Sequence, residues 1–317
     1  MNIPTQSSVR IILPGGAGLV GQNLVARLKQ AGNFDIVVID KHQTNLAILK
    51  SVHPDITVVL ADLSIPGEWE QEFENADVVV MLQAQIGGLF YEEFVSNNVT
   101  STQIILDLIK KYQIPRLIHV SSSVVMSVAD DFYTKSKKHQ EEIVLHSGIP
   151  CPIFRPTLMY GWFDRKHLGW LARFMNKSPV FPIPGDGRFM RQPLYAGDFS
   201  NIIISAIHHP QINGIFNISG HEKLDYIDMI RMIKKVTGAK ATIVKIPYTL
   251  FYSLLWTWAL FDKNPPFTTQ QLAALVAKDE FEIIDWPTIF GVRFTPFAKA
   301  LEEVYKDPVY SQITLEF

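Results

Sequence analysis

Three glycines placed directly behind a β-branched run constrain this chain more than any other feature. After VRIIL (9–13) comes PGGAGLVGQNL, with Gly15, Gly18 and Gly21 three apart and a helical pattern opening at Leu19. Glycine carries no Cβ, so it lets a chain turn at positive φ and lets another group approach the backbone closely. A strand that ends in such a turn and feeds a helix offers that helix's unpaired amides and positive dipole end to an anion. The spacing is G-x-x-G-x-x-G rather than the commoner G-x-G-x-x-G, but the mechanics carry over. We read the turn as a cradle for the pyrophosphate of a dinucleotide, contacted by Gly15, Gly18, Gly21 and the amides of Leu19 and Val20. The bland alternative is a glycine-rich turn that binds nothing, and the position between strand and helix argues against it.

The surrounding pattern says what the turn is built into. Apolar, β-branched runs recur at 9–13, DIVVID (35–40), ITVVLA (56–61), DVVVML (77–82), LIHVSS (117–122) and CPIFRP (151–156). Between them, 19–31, 43–51, 91–112 and 134–147 carry apolar residues at three- and four-residue spacing. Near-continuous apolar strands alternating with amphipathic helices predict an α/β fold, a doubly wound parallel sheet covered on both faces. From 157 the pattern loosens through PVFPIPGDGRF, followed by a helix at 198–208, a strand at 214–219 and helical segments to the end. We therefore expect a cofactor domain over 1–170, rejoined by 193–220, and a smaller, mostly helical substrate lobe from 171–192 and 221–317.

In that frame Asp40 ends the second strand, 19 residues after Gly21, where a carboxylate accepts from adenosine ribose hydroxyls. Such a carboxylate repels a 2′-phosphate, so NAD is favoured over NADP, although Lys41 beside it is a cation that tolerates one. Asp62, after the third strand, is placed to bond the adenine edge or simply to form a turn.

Composition narrows the partner. The 317 residues are 47% hydrophobic and carry a net charge of −2 with no long basic run, which excludes a nucleic-acid footprint and leaves a small-molecule substrate. Cys151 is the only cysteine and the nine histidines have no ligand spacing, so neither an internal disulfide nor a metal site is expected. The opening MNIPTQSS lacks the order of a signal peptide, and a cytoplasmic protein is expected. The apolar stretch 246–261, with Trp256 and Trp258, is 16 residues long, short of the ~20 that a membrane span needs. We expect it to form a helix that packs the small lobe over the cleft, or else an apolar wall for a lipid-like or aromatic ketone. A membrane-surface helix requires a charged face, and none is evident.

Several motifs in one order resemble the extended short-chain dehydrogenase/reductases of the NAD-dependent epimerase/dehydratase family, which includes UDP-galactose 4-epimerase. Gly15–Gly21 resembles the family's glycine motif, with Pro14 where threonine usually stands. Asn98-Val99-Thr100-Ser101-Thr102 resembles its N-V-x-G-T helix start, with Ser101 for glycine; Arg155-Pro156-Thr157-Leu158-Met159-Tyr160-Gly161 resembles R-P-x-x-x-Y-G; and 185–200 resembles the G-x-G segment that carries Arg191 and Asp198. The resemblance covers nearly the whole chain. It implies a Rossmann fold, NAD, a nucleotide-sugar substrate and a homodimer formed through the helices at 91–112 and 134–147. It also implies cofactor contacts at Leu63, Gln83, Ala84, Asn98, Ser121 and Pro156, with Pro156 bordering the nicotinamide. Gln192-Pro193 departs from the sugar epimerases and is similar to relatives that include a nucleotide-binding accessory subunit of respiratory complex I.

The family pattern assigns catalysis to Ser123, Tyr133 and Lys137. Ten tyrosines make a Y-x-x-x-K pair common by chance, so its neighbours carry the reading. Taking a proton from a secondary alcohol needs a base active near neutrality, and a free phenol titrates near ~10. Lys137, one helical turn on, shares a face with Tyr133. At about 4 Å its ammonium stabilises a phenolate by roughly 4 kcal/mol at an effective dielectric of 20, or about three pKa units. Lys137 would also hold the nicotinamide ribose, Ser123 the substrate oxygen, and Arg191 with Arg293 a substrate diphosphate. Ser121 and Ser122 are the fallback hydroxyls, because only ten positions separate Ser123 from Tyr133, fewer than the family usually shows. Lys135, Lys137 and Lys138 with Glu141 and Glu142 read otherwise as a solvated helix face. The competing functions are a reductase of an apolar ketone or alcohol, and a cofactor-binding scaffold without turnover.

Overall fold

The computed structural model describes residues 8–262, 268–276 and 281–316. Its centre is a parallel sheet made by the predicted runs: β1 (Val9–Pro14), β2 (Phe34–Asp40), β3 (Thr57–Leu60), β4 (Val78–Met81), β5 (Arg116–Val120), β6 (Pro152–Pro156) and a seventh strand, Gly214–Ile218. Across the sheet the order is Gly214–Ile218, β6, β5, β4, β1, β2, β3, and every pairing is parallel. The order reverses between β1 and β4, and such a switch point opens a crevice at the carboxyl ends of the strands.

Period-two alternation sends neighbouring residues of β1 to opposite cores. Ile11 and Leu13 pack with Leu24, Leu28 and Phe199, while Ile12 packs with Ile105, Leu106 and Phe73. The first face is covered by α1 (Leu19–Ala31) and the returning Ala196–His208 helix, the second by the helices after β4 and β5. α2 (Gln43–Val52) lies against β3, an edge strand whose residues are exposed or half-buried.

The expected helix at 91–112 has three parts: α3 (Tyr91–Phe94), a π-helical turn at Val95–Thr100, and α4 (Ser101–Lys111). The wide turn holds Asn98, whose carboxamide accepts from the Gln85 amide at 2.6 Å and donates to the Ser136 hydroxyl at 2.9 Å. α5 (Phe132–His146) follows β5 and is capped by Asp131, which accepts from the Thr134 amide at 2.9 Å.

A second core gathers Tyr160, Trp162, Phe181, Ile183, Tyr226, Ile230, Phe297 and Leu301. It is built by Leu168–Lys177, Tyr226–Thr237, Phe297–Lys306 and the parallel pair Val180–Pro184 with Thr242–Ile246. Arg27 of α1 joins the two cores: it stacks over the Trp162 ring at 4.7 Å, donates to the Tyr195 hydroxyl at 3.0 Å and pairs with Glu303. The 246–261 stretch forms a helix, Tyr248–Phe261, but it is not packed as expected, since Leu255 is its only buried residue.

Phe154 is fully buried on β6 with its ring against Phe199, Phe216 and Phe290 at 5.5–6.0 Å. Phe154→Ala should lower the free energy of unfolding by about 3–5 kcal/mol, read as a shifted urea midpoint at unchanged m-value.

Candidate active site

The three glycines of the first turn differ in what they face. Gly15 has φ 75°, and a Cβ there would stand 2.4 Å from the Gln83 backbone. One on Gly21 would stand 2.2 Å from the Gly16 carbonyl oxygen. Both are required by the protein's own packing. Gly18 has only the Gly15 carbonyl within reach, at 3.8 Å, so the space before it is open. Gly18 is also the N-cap of α1, with no side-chain cap and no acid in the first turn. A helix start without a protein anion, fronted by a residue without a Cβ, fits a diphosphate.

Asp40 ends β2 beside this turn and accepts from the amides of Ala17 and His42, each at 3.0 Å. A carboxylate has about four acceptor sites, so others remain for hydroxyls. Lys41 reaches away to the Asn97 side chain at 2.7 Å. Asp62 forms the turn: burial raises its pKa, but bonds from the Ser64 hydroxyl and amide, with the Lys41 charge, bring it below the usual value. Leu63 is buried beneath it and Ala84 is exposed after β4.

From the glycine turn a buried chain of hydrogen bonds runs to Lys137. Gln83, against Gly15, donates to the Thr102 hydroxyl at 3.1 Å; Gln140 donates to the same oxygen at 2.8 Å; and that hydroxyl donates to the Asn98 carbonyl at 2.7 Å. Thr102 thus uses its one donor and both acceptor sites. Lys137 in turn donates to Gln140 and to the Val120 carbonyl at 3.3 Å. The Gln83 side-chain oxygen is buried without a partner among the described residues, an unsatisfied acceptor at the switch point.

Tyr133 and Lys137 occupy one side of α5, yet the electrostatics differ from expectation. Lys137 is 1% exposed, and burial lowers its pKa to about 7 against an opposing pull from Glu141. Burial raises the Tyr133 pKa; a hydrogen bond with Ser122 offsets part of the rise, and Asp131 adds to it. The phenol therefore moves away from neutrality because its burial outweighs the Ser122 bond, while Lys137 bonds a carbonyl and a carboxamide. Ser122, rather than Ser123, is the hydroxyl bonded to Tyr133; Ser123 begins the short 3-10 turn Ser123–Met126. Ser121 donates to Glu141.

Glu141 also corrects the solvated-face reading. It is buried, ion-paired with Arg155 of β6, and accepts from the Arg155 Nε at 3.1 Å. Lys135, Lys138 and Glu142 are exposed, Lys135 paired with Asp130 at 3.0 Å and Lys138 donating to the Ser127 carbonyl. Gln140, Glu141 and Thr102 were missed by sequence reasoning. The available signal was their three- and four-residue spacing from Lys137 and Asn98, which puts them on inward stripes.

Pro156 is buried at the end of β6. Arg191 lies over the Phe189 ring at 5.7 Å, in the second core's margin, whereas Arg293 is exposed between Val292 and Phe294, which pack toward the sheet. Large apolar side chains stand exposed in the segments that leave β4 and β5: Ile86, Leu89 and Phe90, then Met126 and Val128. No cluster of three or more histidine, cysteine or acidic residues suited to a metal occurs among the described residues.

Against this geometry, a profile of the NAD dependent epimerase/dehydratase family matches residues 11–219. The chain belongs to that family. Among its curated relatives, a trifunctional UDP-glucose 4,6-dehydratase/epimerase/reductase of Arabidopsis thaliana is 27% identical over 74% of this chain, which spans only 40% of that protein's length. The sterol-4-alpha-carboxylate 3-dehydrogenase of Schizosaccharomyces pombe is 25% identical and covers 86% of this chain and 89% of its own. In fold, the UDP-glucuronic acid 4-epimerase of Bacillus cereus in complex with NAD superposes with TM-score 0.73 at 21% identity, covering 96% of this chain and 99% of its own. Membership in this NAD dependent family agrees with the open Gly18 cradle.

Gly15→Ala should lower the melting temperature and abolish NAD binding together. Gly18→Ala should leave the melting temperature unchanged while weakening NAD, as read by calorimetric titration. Lys137 supplies a pH test. Its folded pKa of about 7 lies below the ~10.4 of an unfolded lysine, so between those values the unfolded chain holds the extra proton. This group therefore makes stability rise with pH through that window, and Lys137→Met should flatten that rise in urea titrations.

Proposed function

We propose that this chain is an NAD-dependent oxidoreductase of the epimerase/dehydratase type, acting on a secondary alcohol or ketone of a nucleotide-sugar. The observation that carries this reading is the hydrogen-bonded path from the glycine turn through Gln83, Thr102 and Gln140 to Lys137, with Tyr133 on the same helix and Ser122, beyond the end of β5, against its phenol. A turn that merely packed would need neither the unsatisfied Gln83 oxygen nor a buried lysine. NAD bound there supplies the hydride acceptor and donor. In this reading Gly18 and the first amides of α1 bind the pyrophosphate, Asp40 the ribose hydroxyls, Asp62 and Leu63 the adenine side, and Gln83, Ala84, Asn98, Ser121 and Pro156 line the remainder. Lys137 holds the second ribose. Tyr133 keeps its proton at neutral pH and hands it to a ketone oxygen, or takes one from an alcohol as pH rises, while Ser122 orients the phenol and Ser123 the substrate. Arg191 offers a cation to the diphosphate, with Arg293 farther out. The 1–170 and 193–220 segments form the cofactor domain in this proposal, and the remainder the substrate lobe.

A second reading has its own support. The exposed Ile86, Leu89, Phe90, Met126 and Val128 suit an apolar alcohol or ketone, and the relative with wide coverage is named for a sterol. We also propose a cytoplasmic homodimer through α4 and α5, whose outward residues include Gln103, Asp107, Lys135, Lys138 and Glu142.

Tyr133→Phe should abolish turnover and leave NAD affinity nearly intact, and Ser122→Ala should lower kcat more than Ser123→Ala. Alcohol oxidation should accelerate with rising pH in the parent enzyme. Assay against UDP-hexoses and hydroxysteroids separates the two substrate readings, and full activity in Tyr133→Phe removes the catalytic one.

A further inference from the structure

The helix Tyr248–Phe261 has no charged residue in its 14 positions and exposes apolar side chains around its circumference: Leu250, Leu254, Trp256, Trp258 and Leu260 are each more than half exposed, and Phe261 is 87% exposed. A helix apolar on all sides belongs in a core or in lipid. Two of its hydroxyls and one indole are satisfied within the helix or at its end. Ser253 and Thr257 donate to the carbonyls one turn back, Thr249 at 2.9 Å and Ser253 at 2.8 Å, and the Trp258 indole donates to Asp262 at 3.2 Å. Such back-bonding is how hydroxyls are satisfied where no water is available.

The flanking sequence supplies the complementary charge. From Met229 to Phe261 the chain carries Arg231, Lys234, Lys235, Lys240 and Lys245 and no acidic residue. Arg231 pairs with Asp228, while Lys235, Lys240 and Lys245 are exposed. Val244, on the strand that leads into the helix, is exposed beside Lys245. The helix is about 21 Å long at 1.5 Å per residue, against a hydrocarbon core of ~30 Å. Among the described residues, no helix is long and apolar enough to cross a membrane. The charge that an isolated interfacial peptide carries on its own face is carried here by the exposed lysines of the segment that leads into the helix. The two tryptophans and two tyrosines of the helix are the side chains that settle at headgroup level.

We propose that Tyr248–Phe261 is a monotopic membrane-docking helix that lies in the interface of a bilayer with anionic headgroups. The test is flotation of the full chain with vesicles of phosphatidylcholine alone and of phosphatidylcholine with phosphatidylglycerol, alongside tryptophan emission and sedimentation velocity. The parent should float with the anionic vesicles and shift its emission to the blue. The triple variant Leu254→Ser/Trp258→Ser/Leu260→Ser, which spares buried Leu255, should bind roughly tenfold more weakly or less while keeping its NAD affinity. Lys240→Glu/Lys245→Glu should lose the preference for anionic lipid, and salt should weaken the parent's binding. Flotation of the triple variant equal to the parent's overturns the proposal. So does a parent that stays off vesicles, whether as a dimer that the triple variant dissociates, which makes a second copy the occupant, or as a monomer, which makes the helix self-covered.

Discussion

The constraint on which the crevice depends is a backbone contact too close for any side chain, that of Gly15 against Gln83. It fixes the end of β1 against the end of β4 at the point where the strand order reverses. Because Gln83 continues through Thr102 and Gln140 to Lys137, the same contact sets the height of α5 relative to the glycine turn. Gly21 against Gly16 does the equivalent work behind the turn, seating α1 close enough for its amides to face outward past Gly18. Sterics and a few shared protons thus register four separate elements.

The charges below this frame follow the rules for buried ions. Glu141 is tolerable only because Arg155 and Ser121 satisfy it, and Lys137 sits near enough to feel its charge. Loss of one partner leaves the others desolvated and unpaired, which costs more than the pair itself contributes. His119, wholly buried with neither ring nitrogen bonded among the described residues, stays neutral because burial and then the Lys137 charge both lower its pKa.

Much of the fold was legible because strands and helices here obey their periods. The seven expected runs became seven strands within a residue or two, since the central ones are covered on both faces and the two edge strands keep the same apolar character. The glycine turn was readable for a similar reason: only glycine meets its contacts. Three things were not. The π turn at Val95–Thr100 arises from tertiary bonds of Asn98 that no local pattern encodes. Glu141 looked like a surface charge because its partner Arg155 lies 14 residues away, on the strand that follows the helix. The Tyr133 phenol was expected to be drawn toward neutrality by Lys137, but one-turn spacing guarantees only a shared face. Two of the lysine's donors go to Gln140 and the Val120 carbonyl, and desolvation of the phenol wins.

Arg27 stacked on Trp162 and paired with Glu303 rivets the first helix to the second core. A hinge that swung the lobe wide to admit a reactant would have to tear a half-buried guanidinium from both its ring and its carboxylate. The cost of freeing that cation therefore ties any displacement of the second core to a displacement of α1, the helix that the glycine turn opens.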